Sequence, residues 1–499
     1  MSAIPGEGRP VELDDVQGLV RFGYRHLPEA CFLLLRIKDA VAARDWLTRA
    51  PVTSAAKTDR LPDTALQVAF TSEGLRALGL APDVYAEFSV EFLAGMASDA
   101  ARARRLGDVG ANDPGHWQWG AGERVPHVAV LLYARPGALA AWEREIETQC
   151  AVGFALVERL STSDTQGVEP FGFTDGISQP EVDWERRRPV RDEDQLEYLN
   201  LSCLGEYLLG YPNEYGRYTP RPLLAPQRDP VGLLPRAEDA PEQADLGRNG
   251  CYLVMRQLRQ DVHGFWRELD RQAQGDPDLR ERLGAAMVGR RRTGEPLVTS
   301  GGDAVAGGEP EQHARLNAFT YQDDPRGLRC PLGAHIRRAN PRNADLPPGA
   351  PGILSRLSRM LGFDAAALEQ DLVASTRFHR LLRRGRVYGA GARSAGGTSH
   401  SPDTGIHFIC LAANIKRQFE FVQNAWLMGS RFAGLNESDP LLGHRLPDPG
   451  NTPTDGFSMP QADGPDRRLS GLPQFVTVRG GAYFFLPGIR ALRYLAMTR

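Results

Sequence analysis

The pattern of apolar and polar positions gives the same order of elements in two parts of the chain. In the first part, nearly continuous apolar runs alternate with segments whose apolar residues recur every three or four positions, the spacing of a helix that packs one face. Ser72 is the expected N-cap of the second helix. We expect strands at Glu29–Ile37, Leu66–Thr71, Val125–Ala134 and Cys150–Leu160, and helices at 39–50, 72–80 and 136–150.

The last part of the chain repeats this order. Its apolar runs predict strands at Gly250–Leu258, at Gly405–Ala413 and in two pieces of 474–487 that Gly480 and Gly481 separate, with helices at 260–273, 414–428 and 488–499. Strand, helix, two strands, helix and strand is the order of a ferredoxin-like unit. We therefore predict an α+β fold with two ferredoxin-like domains, arranged as in dimeric α+β barrels, at 11–170 and 248–499. Residues 171–247, a loop followed by a long connecting segment, would join them, and Tyr211–Gly250 is rich in Pro, Gly and charge.

Composition and charge argue against a disordered, membrane-spanning or nucleic-acid-binding protein. The 499 residues are 41% hydrophobic and 24% charged, with a net charge of −3, so the sequence indicates a globular chain without a basic surface for nucleic acid or anionic lipid. No apolar run approaches the ~18–20 residues of a membrane span, and the first residues lack the pattern of a secretory signal. Six cysteines without a CxxC pair fit small buried side chains in a reducing cytoplasm.

Two stretches carry candidate chemistry around Asp175 and His335. In GFTDG, the glycines allow a sharp turn that could present the Asp175 carboxylate to a ligand, although an aspartate in a turn often bonds only its own backbone. In RCPLGAHIRRANPR, several arginines surround His335, which would suit a dianionic ligand such as a haem with two propionates. A solvated basic face is the alternative.

A third stretch, HRLLRRGRVYG, contains Arg383. Arginine stays protonated and presents a fixed fork of donors, so it could stabilise developing negative charge over a reaction centre. The alternative is the arginine-rich end of a surface helix, and the adjacent Arg384 competes for the same role.

These three stretches, in this order, resemble the dye-decolorising peroxidase family of haem enzymes. The likeness extends to GEYLLGYPNEYG, IHFICLAANIKRQFEFVQNAW and FVTVRGGAYFFLPGI, which are typical of the longer bacterial and fungal branch, and it runs from about Val16 to the C-terminus. This chain departs from the family pattern in one respect. Its residues 346–372 are predicted to be a helical insertion between His335 and Arg383.

The resemblance implies one haem b per chain, held mainly by the C-terminal domain. By their places in the motifs, His335 would ligate the iron, Asp175 and Arg383 would act on the distal side, and Arg337 would contact the cofactor. Ile406 and Phe408 would line the distal pocket, since alternate residues of a strand share one face. The imidazole of a metal-bound histidine usually donates its other N–H to a carboxylate or a carbonyl, and Asp439 is our candidate.

The implied function is that of a peroxidase that uses hydrogen peroxide to oxidise dyes, phenols or other one-electron donors through a ferryl intermediate. Tyr388 and Trp426, which lie next to the motifs, could pass electrons to bulky donors or could simply pack in the core. No nucleic-acid or membrane partner is expected, and a homo-oligomer is compatible with the sequence. The alternative function is a haem-binding or haem-trafficking protein with incidental peroxidase activity.

Overall fold

The computed structural model of the chain describes residues 10–187, 200–298, 314–342, 376–390, 400–448 and 450–497. The predicted insertion at 346–372 lies outside these residues.

The first unit follows the predicted order closely. Each strand lies within a few residues of its predicted bounds, and the helices that follow the strands also match. The long elements are β1 Glu29–Ile37, α1 Ala40–Arg49, β2 Thr64–Phe70, α2 Ser72–Leu78, α3 Pro82–Ala86, α4 Val90–Ala94, α5 Ala100–Leu106, β3 Val128–Ala134, α6 Leu139–Cys150 and β4 Phe154–Ser161.

Short elements connect the two units, and the second unit repeats the order of the first. The connecting strands are β5 Glu181–Val182, β6 Leu201–Ser202, β7 Leu223–Leu224 and β8 Ala244–Asp245. The second unit contains β9 Cys251–Gln260, α7 Val262–Ala273, α8 Pro277–Val288, a short helix His335–Ala339, β10 Leu382–Arg383, β11 Arg386–Ala390, β12 His400–Ala412, π-helical turns Lys416–Glu420 and Val422–Met428, β13 Phe457–Met459, β14 Arg467–Leu469, β15 Val476–Leu486 and a last helix Ile489–Met497. The 3-10 turns are Gly18–Val20, Gly110–Asn112, Pro114–His116, Gly122–Arg124, Leu204–Glu206, Pro226–Arg228, Thr376–His379 and Phe432–Gly434.

The main strands of both units form one antiparallel sheet of nine strands. Its order is β10-β12-β9-β15-β2-β3-β1-β4, and β11 also pairs with β12. Within each unit the fourth strand lies beside the first and the third beside the second, which together with the βαββαβ order gives the ferredoxin-like arrangement. The two units meet where β15 pairs with β2 at Phe485 and Phe70. The predicted fold class is therefore confirmed.

The sheet is buried on both faces, which explains the unbroken apolar runs of its strands. On β1, Cys31 and Leu33 belong to one hydrophobic cluster, whereas Phe32 and Leu34 belong to a second cluster on the opposite face. A strand that is covered on both sides has no solvent-facing positions, so its sequence does not alternate.

Two local predictions were wrong in ways that packing explains. The side chain of Thr71, and not that of Ser72, caps α2 by accepting the amide of Gly74, since Thr71 ends β2 in an extended conformation. Gly480 and Gly481 do not break the last strand; β15 is continuous with a register shift after Val478. A Cβ atom on Gly480 would lie 2.5 Å from the indole nitrogen of Trp119, so this glycine permits close packing within a strand.

The last helix returns to the beginning of the described chain and is bonded to it. The amide of Ile489 donates to the carbonyl of Asp15 over 2.7 Å. The Arg490 guanidinium pairs with Glu12 at 2.7 Å and with Asp15 at 3.1 Å. This helix also packs against α1 of the first unit. The two units are thus joined by the sheet and, separately, by this clasp.

All six cysteines are buried and unpaired. None of the helices within the described ranges has the length and apolar character needed to cross a membrane.

His407 on β12 joins the second unit to the first. Its ring stacks on Tyr388 with centroids 4.5 Å apart, and its Nε2–H donates to the carbonyl of Ser161 on β4 over 2.9 Å. Because the side chain is buried, the pKa of His407 is lowered to about 4. The folded protein therefore strongly favours the neutral imidazole.

This burial predicts a loss of stability in acid. Between pH 6.5 and 4 the unfolded chain binds a proton at His407 that the folded chain does not, so the free energy of unfolding falls as pH decreases. At pH 5 this one site should cost about 2 kcal/mol relative to pH 7.5. Urea unfolding of the parent and His407→Phe at both pH values checks this. The variant should lose correspondingly less stability on acidification, and an equal loss in both proteins would contradict the assignment.

Candidate active site

A cavity of about 1400 Å³ lies against the part of the sheet that the second unit contributes. Strands β9, β12 and β15 form its floor, and the GFTDG turn, the end of α8, the helix His335–Ala339 and the turns at 416–428 contribute to its walls. Its apolar lining includes Leu258, Val288, Ile336, Ile406, Phe408 and Phe419, and its charged lining includes Asp175, Arg290, His335, Arg342, Arg383 and Arg384. Five of the six residues predicted to contact the cofactor or to catalyse line this one space, and Arg337 is the exception.

The turn before Asp175 is shaped by its glycines. Gly172 and Gly176 both have positive φ angles, of 98° and 79°, which glycine adopts without the steric cost that other residues meet. The amide of Asp175 donates to the carbonyl of Gly167 over 2.8 Å, while the side chain remains 43% exposed towards the cavity. The carboxylate is thus presented to the cavity and is not spent on a local backbone bond.

Arg383 on β10 is directed to this carboxylate. Its Nη1 lies 3.3 Å from Oδ1 of Asp175, and its Nη2 donates to the carbonyl of Ser178 over 3.2 Å. The Gln179 side chain fixes the backbone here, since it accepts from the Arg383 amide and donates to the Arg383 carbonyl, both over 3.1 Å. Gln179 belongs to the GFTDGISQP stretch, but no pattern in that stretch distinguishes it.

The neighbouring Arg384 has a different task. Its guanidinium donates to the carbonyls of Leu19 and Val20, each over 2.8 Å. Burial lowers the pKa of Arg384 to about 10. Arg384 therefore ties β10 to the first unit, and Arg383 is the arginine that meets Asp175.

His335 is held by a buried carboxylate. It begins the short helix His335–Ala339, and its Nδ1–H donates to Oδ2 of Asp439 over 3.0 Å. Burial acts to lower the pKa of His335, but the Asp439 carboxylate outweighs burial and the pKa is raised. Nε2 has no hydrogen-bond partner among the residues that the structure describes, so this nitrogen is left for a ligand in the cavity.

Asp439 is itself fixed from three sides. Its side chain is fully buried, and Oδ1 accepts the amides of Leu441 and Leu442 over 2.9 and 2.8 Å. Its own amide donates to the carbonyl of Leu427. Burial would raise the pKa of Asp439, but the positive charge of His335 lowers it on balance. The carboxylate thus sets both the position of the imidazole and the nitrogen that carries its proton.

Ile406 and Phe408 lie on the cavity face of β12, as the alternation of the strand predicts. They pair with Leu258 and Arg256 of β9, which line the same cavity. His407 between them points to the opposite face, against Tyr388.

The position of Arg337 departs from its predicted contact with the cofactor. Its guanidinium is buried outside the cavity, where it donates to the carbonyls of Cys330 and Asp324 and pairs with the Asp324 carboxylate at 3.2 Å. Arg338 also has a structural role, since its guanidinium donates to the carbonyls of Trp426 and Gly429. Successive residues of a helix point in different directions, so only some side chains of HIRRANPR can face one ligand.

Arg290 and Arg342 are the cations that do line this part of the cavity. Both lie over the Phe319 ring, at 5.3 and 3.8 Å from its centroid. Arg290 is 4% exposed, donates to the Ser178 hydroxyl and to the carbonyls of Gly294 and Leu316, and makes no ion pair among the described residues. Burial and the repulsion of Arg342 lower the pKa of Arg290 to about 10. Sequence reasoning missed Arg290, and its only signal was the run of arginines at 290–292.

Tyr388 and Trp426, the candidates for electron transfer, are both buried. Tyr388 stacks on His407, away from the pocket lining, and Trp426 is 7% exposed and lines the cavity. Neither is a surface residue, and the structure leaves their part in electron transfer a prediction.

Comparison with known proteins agrees with this geometry. No family model matches the chain. Dye-decolorizing peroxidase msp1 of Mycetinis scorodonius is 28% identical over 97% of this chain and 87% of its own length. Multifunctional dye peroxidase DyP2 of an Amycolatopsis strain is 28% identical over 86% of this chain and 82% of its own. A solved dye-decolorizing peroxidase in complex with 2,6-dimethoxyphenol superposes with a TM-score of 0.70 at 23% identity, over 97% of this chain and all of the other.

The chain is similar to fungal and bacterial dye-decolorising peroxidases over most of its length. The match covers fungal and bacterial members and nearly the whole chain, so both ferredoxin-like units and the cavity belong to the shared part. The dye-decolorising peroxidase motifs recognised in the sequence thus meet at one place in the fold, except for Arg337.

The three bonds made by the Asp439 side chain predict its effect on stability. Asp439→Ala would leave two buried amides and the His335 N–H without an acceptor, and should lower the free energy of unfolding by about 2–4 kcal/mol. Asp439→Asn keeps the shape and one oxygen, so it should cost clearly less. Urea unfolding of both, with Asp463→Ala at an exposed position as the control, measures the difference. Equal losses in the two Asp439 variants would contradict this account of the site.

Proposed function

We propose that this chain is a haem peroxidase that uses hydrogen peroxide to oxidise dyes, phenols and other one-electron donors. The observation that carries the proposal is the pairing of Asp175 with Arg383 in the same cavity as the free nitrogen of His335. All three side chains line this cavity. We further propose one haem b per chain, ligated through Nε2 of His335.

The donor set supports a cofactor that supplies most of its own metal ligands. The described residues contain no group of three or more His, Cys, Asp or Glu side chains suited to a metal ion. One imidazole backed by a buried carboxylate, in a large and mainly apolar cavity, instead fits a macrocycle that needs a single axial ligand. Ile406 and Phe408 would supply apolar contacts to its plane.

The carboxylates of such a cofactor have suitable partners. Arg290 is buried beside Arg342 without an ion pair of its own in the described structure, and an anion there would relieve the repulsion that lowers its pKa. Arg337 does not fit this part, because its guanidinium is already paired with the Asp324 carboxylate and lies outside the cavity lining.

When bound, the haem supplies the redox chemistry, taking two oxidising equivalents from hydrogen peroxide and passing them to reductants one at a time. Asp175 would accept a proton from peroxide at Oδ2, the oxygen that does not face Arg383, and deliver it to the oxygen that leaves. Arg383 would donate to that leaving oxygen as negative charge develops on it. Its bonds to Asp175 and Ser178 hold the guanidinium ready, so little reorganisation is needed.

The identity of the reductant rests on the relatives. One solved relative was obtained with 2,6-dimethoxyphenol, and others are named for dye decolorisation. A haem-trafficking function is the second candidate, since the fold itself does not determine the chemistry. The Asp175–Arg383 pair favours the peroxidase, because storage of haem requires no acid–base pair on the open side.

Removal of either distal group should slow the reaction with peroxide and spare haem binding. We expect Asp175→Asn and Arg383→Leu each to lower the bimolecular rate constant for peroxide by about 100–1000-fold, the usual cost of removing one transition-state partner. Stopped-flow absorbance of the Soret band measures the rate, and Asp463→Asn, at an exposed position that does not line the cavity, is the control. Parent-like rates in both distal variants would favour the trafficking function.

Haem retention should depend on His335 and Arg290. His335→Ala should shift the Soret band of the ferric protein and weaken haem binding, and Arg290→Leu should weaken binding without that shift. Haem titration followed by absorbance distinguishes the two effects, with His116→Ala at an exposed histidine as the control. Unchanged spectra and affinity in His335→Ala would rule out this residue as the ligand.

A further inference from the structure

Glu169, six residues before Asp175, makes three hydrogen bonds inside the cavity wall. Oε1 accepts the amide of Phe173 over 2.9 Å, and Oε2 accepts the amide of Phe171 over 3.0 Å. The third donor is the side-chain amide of Gln260 on β9, at 2.8 Å from Oε2. One carboxylate thus binds the Phe173 amide of the GFTDG turn, the Phe171 amide just before the turn and one side chain of the sheet.

The backbone of Glu169 closes the same turn. Its amide donates to the carbonyl of Phe173 over 2.9 Å, and its carbonyl accepts the amide of Gly172 over 2.8 Å. Two residues later the Asp175 amide is bonded to Gly167, on the other side of Glu169. Backbone hydrogen bonds therefore restrain the chain on both sides of the segment between Glu169 and Asp175.

The sheet gives this turn a rigid support. Gln260 is buried and pairs in the ladder with Val476 of β15, so its side chain starts from a fixed point. The turn also buries two aromatic rings, because Phe171 packs 4.5 Å from Phe265 and Phe173 stacks on Trp266. Among the described contacts of residues 169–176, Glu169 is the only side chain that accepts hydrogen bonds both from this segment and from the sheet.

We propose that Glu169 is a positioning residue for Asp175, which holds the catalytic turn at a fixed distance from the sheet and from Arg383. This inference rests on the proposed function of Asp175. It assigns the motif a functional beginning at Glu169, in EPFGFTDG, rather than at Gly172. Burial raises the pKa of Glu169 to about 7, and the charge of Asp175 acts in the same direction, which agrees with the proximity of the two carboxyl groups.

Glu169→Gln tests the proposal, because it keeps the size of the side chain and replaces one acceptor oxygen with an NH₂ group that faces a backbone or side-chain donor. We expect the bimolecular rate constant for peroxide to fall by about 10–100-fold. The kcat/KM for 2,6-dimethoxyphenol and the ferric Soret spectrum should remain those of the parent. A merely destabilised protein would lose both rates together, so this split marks a positioning role.

A double-mutant cycle with Asp175→Asn identifies the residue through which Glu169 acts. If Glu169 works by placing Asp175, adding Glu169→Gln to Asp175→Asn should change the peroxide rate by less than about twofold. Full additivity of the two losses would overturn the proposal, as would a parent-like rate in Glu169→Gln alone. Glu181→Gln, at an exposed glutamate of the same segment, is the matched control and should behave as the parent.

Gln260→Leu covers the case in which Glu169→Gln does not fold. It removes only the donor from the sheet and should lower the peroxide rate by about 3–10-fold, again with no effect in the Asp175→Asn background. An unchanged rate in Gln260→Leu would then reject the proposal. If Asp175→Asn itself reacts as fast as the parent, the proposed function fails first, and that result is separate from a failure of Glu169 alone.

Discussion

The pairing of β9 with β12 and β15 is the constraint on which the site depends. These three strands form the cavity floor, and each residue along them faces either the cavity or the opposite core. Ile406 and Phe408 face the cavity because His407 between them is bonded to Ser161 of the first unit. A shift of one residue in this register would exchange the two faces and place an imidazole where the apolar floor is required.

Charged groups inside the molecule are organised in two different ways around this floor. The His335–Asp439 pair is anchored by the buried carboxylate, which accepts two further amides, so its geometry is determined before any ligand binds. The Asp175–Arg383 pair remains partly exposed to the cavity, at 43% and 34%. The first arrangement suits a group that must hold its position, and the second suits groups that must exchange protons and contacts with a small reactant.

The sequence predicted the fold well where a residue's environment depends on its near neighbours. The strand at Glu29–Ile37 was found at its predicted bounds, because a short, nearly continuous apolar run suits a central strand that is covered on both faces. Asp175, His335 and Arg383 were recognised because they lie in ordered motifs, and Asp439 was correctly paired with His335. Arg337, in contrast, lies outside the cavity lining, since the direction of a side chain on a five-residue helix depends on how that helix docks.

The residues that sequence reasoning missed have contacts far along the chain. Arg290 meets Ser178, 112 residues away, and Glu169 meets Gln260, 91 residues away. Neither contact has a local pattern, because a buried arginine and an exposed one look alike in sequence. The sequence likewise does not distinguish Arg383 from Arg384. The distinction depends on the carbonyls of Leu19 and Val20, which accept hydrogen bonds from Arg384.

The clasp between Asp15 and Arg490 has a consequence for the topology of the molecule. Residues 12–15 and 489–490 are bonded to one another, so the described chain is nearly a closed ring in which the first and second units are each other's neighbours at both junctions. Opening the chain between the units instead would reverse the order of the two units along the sequence without changing which unit contacts which. A circularly permuted chain, with 15 and 489 joined by a short linker and new ends in the segment between the units, would preserve every strand pairing of the sheet.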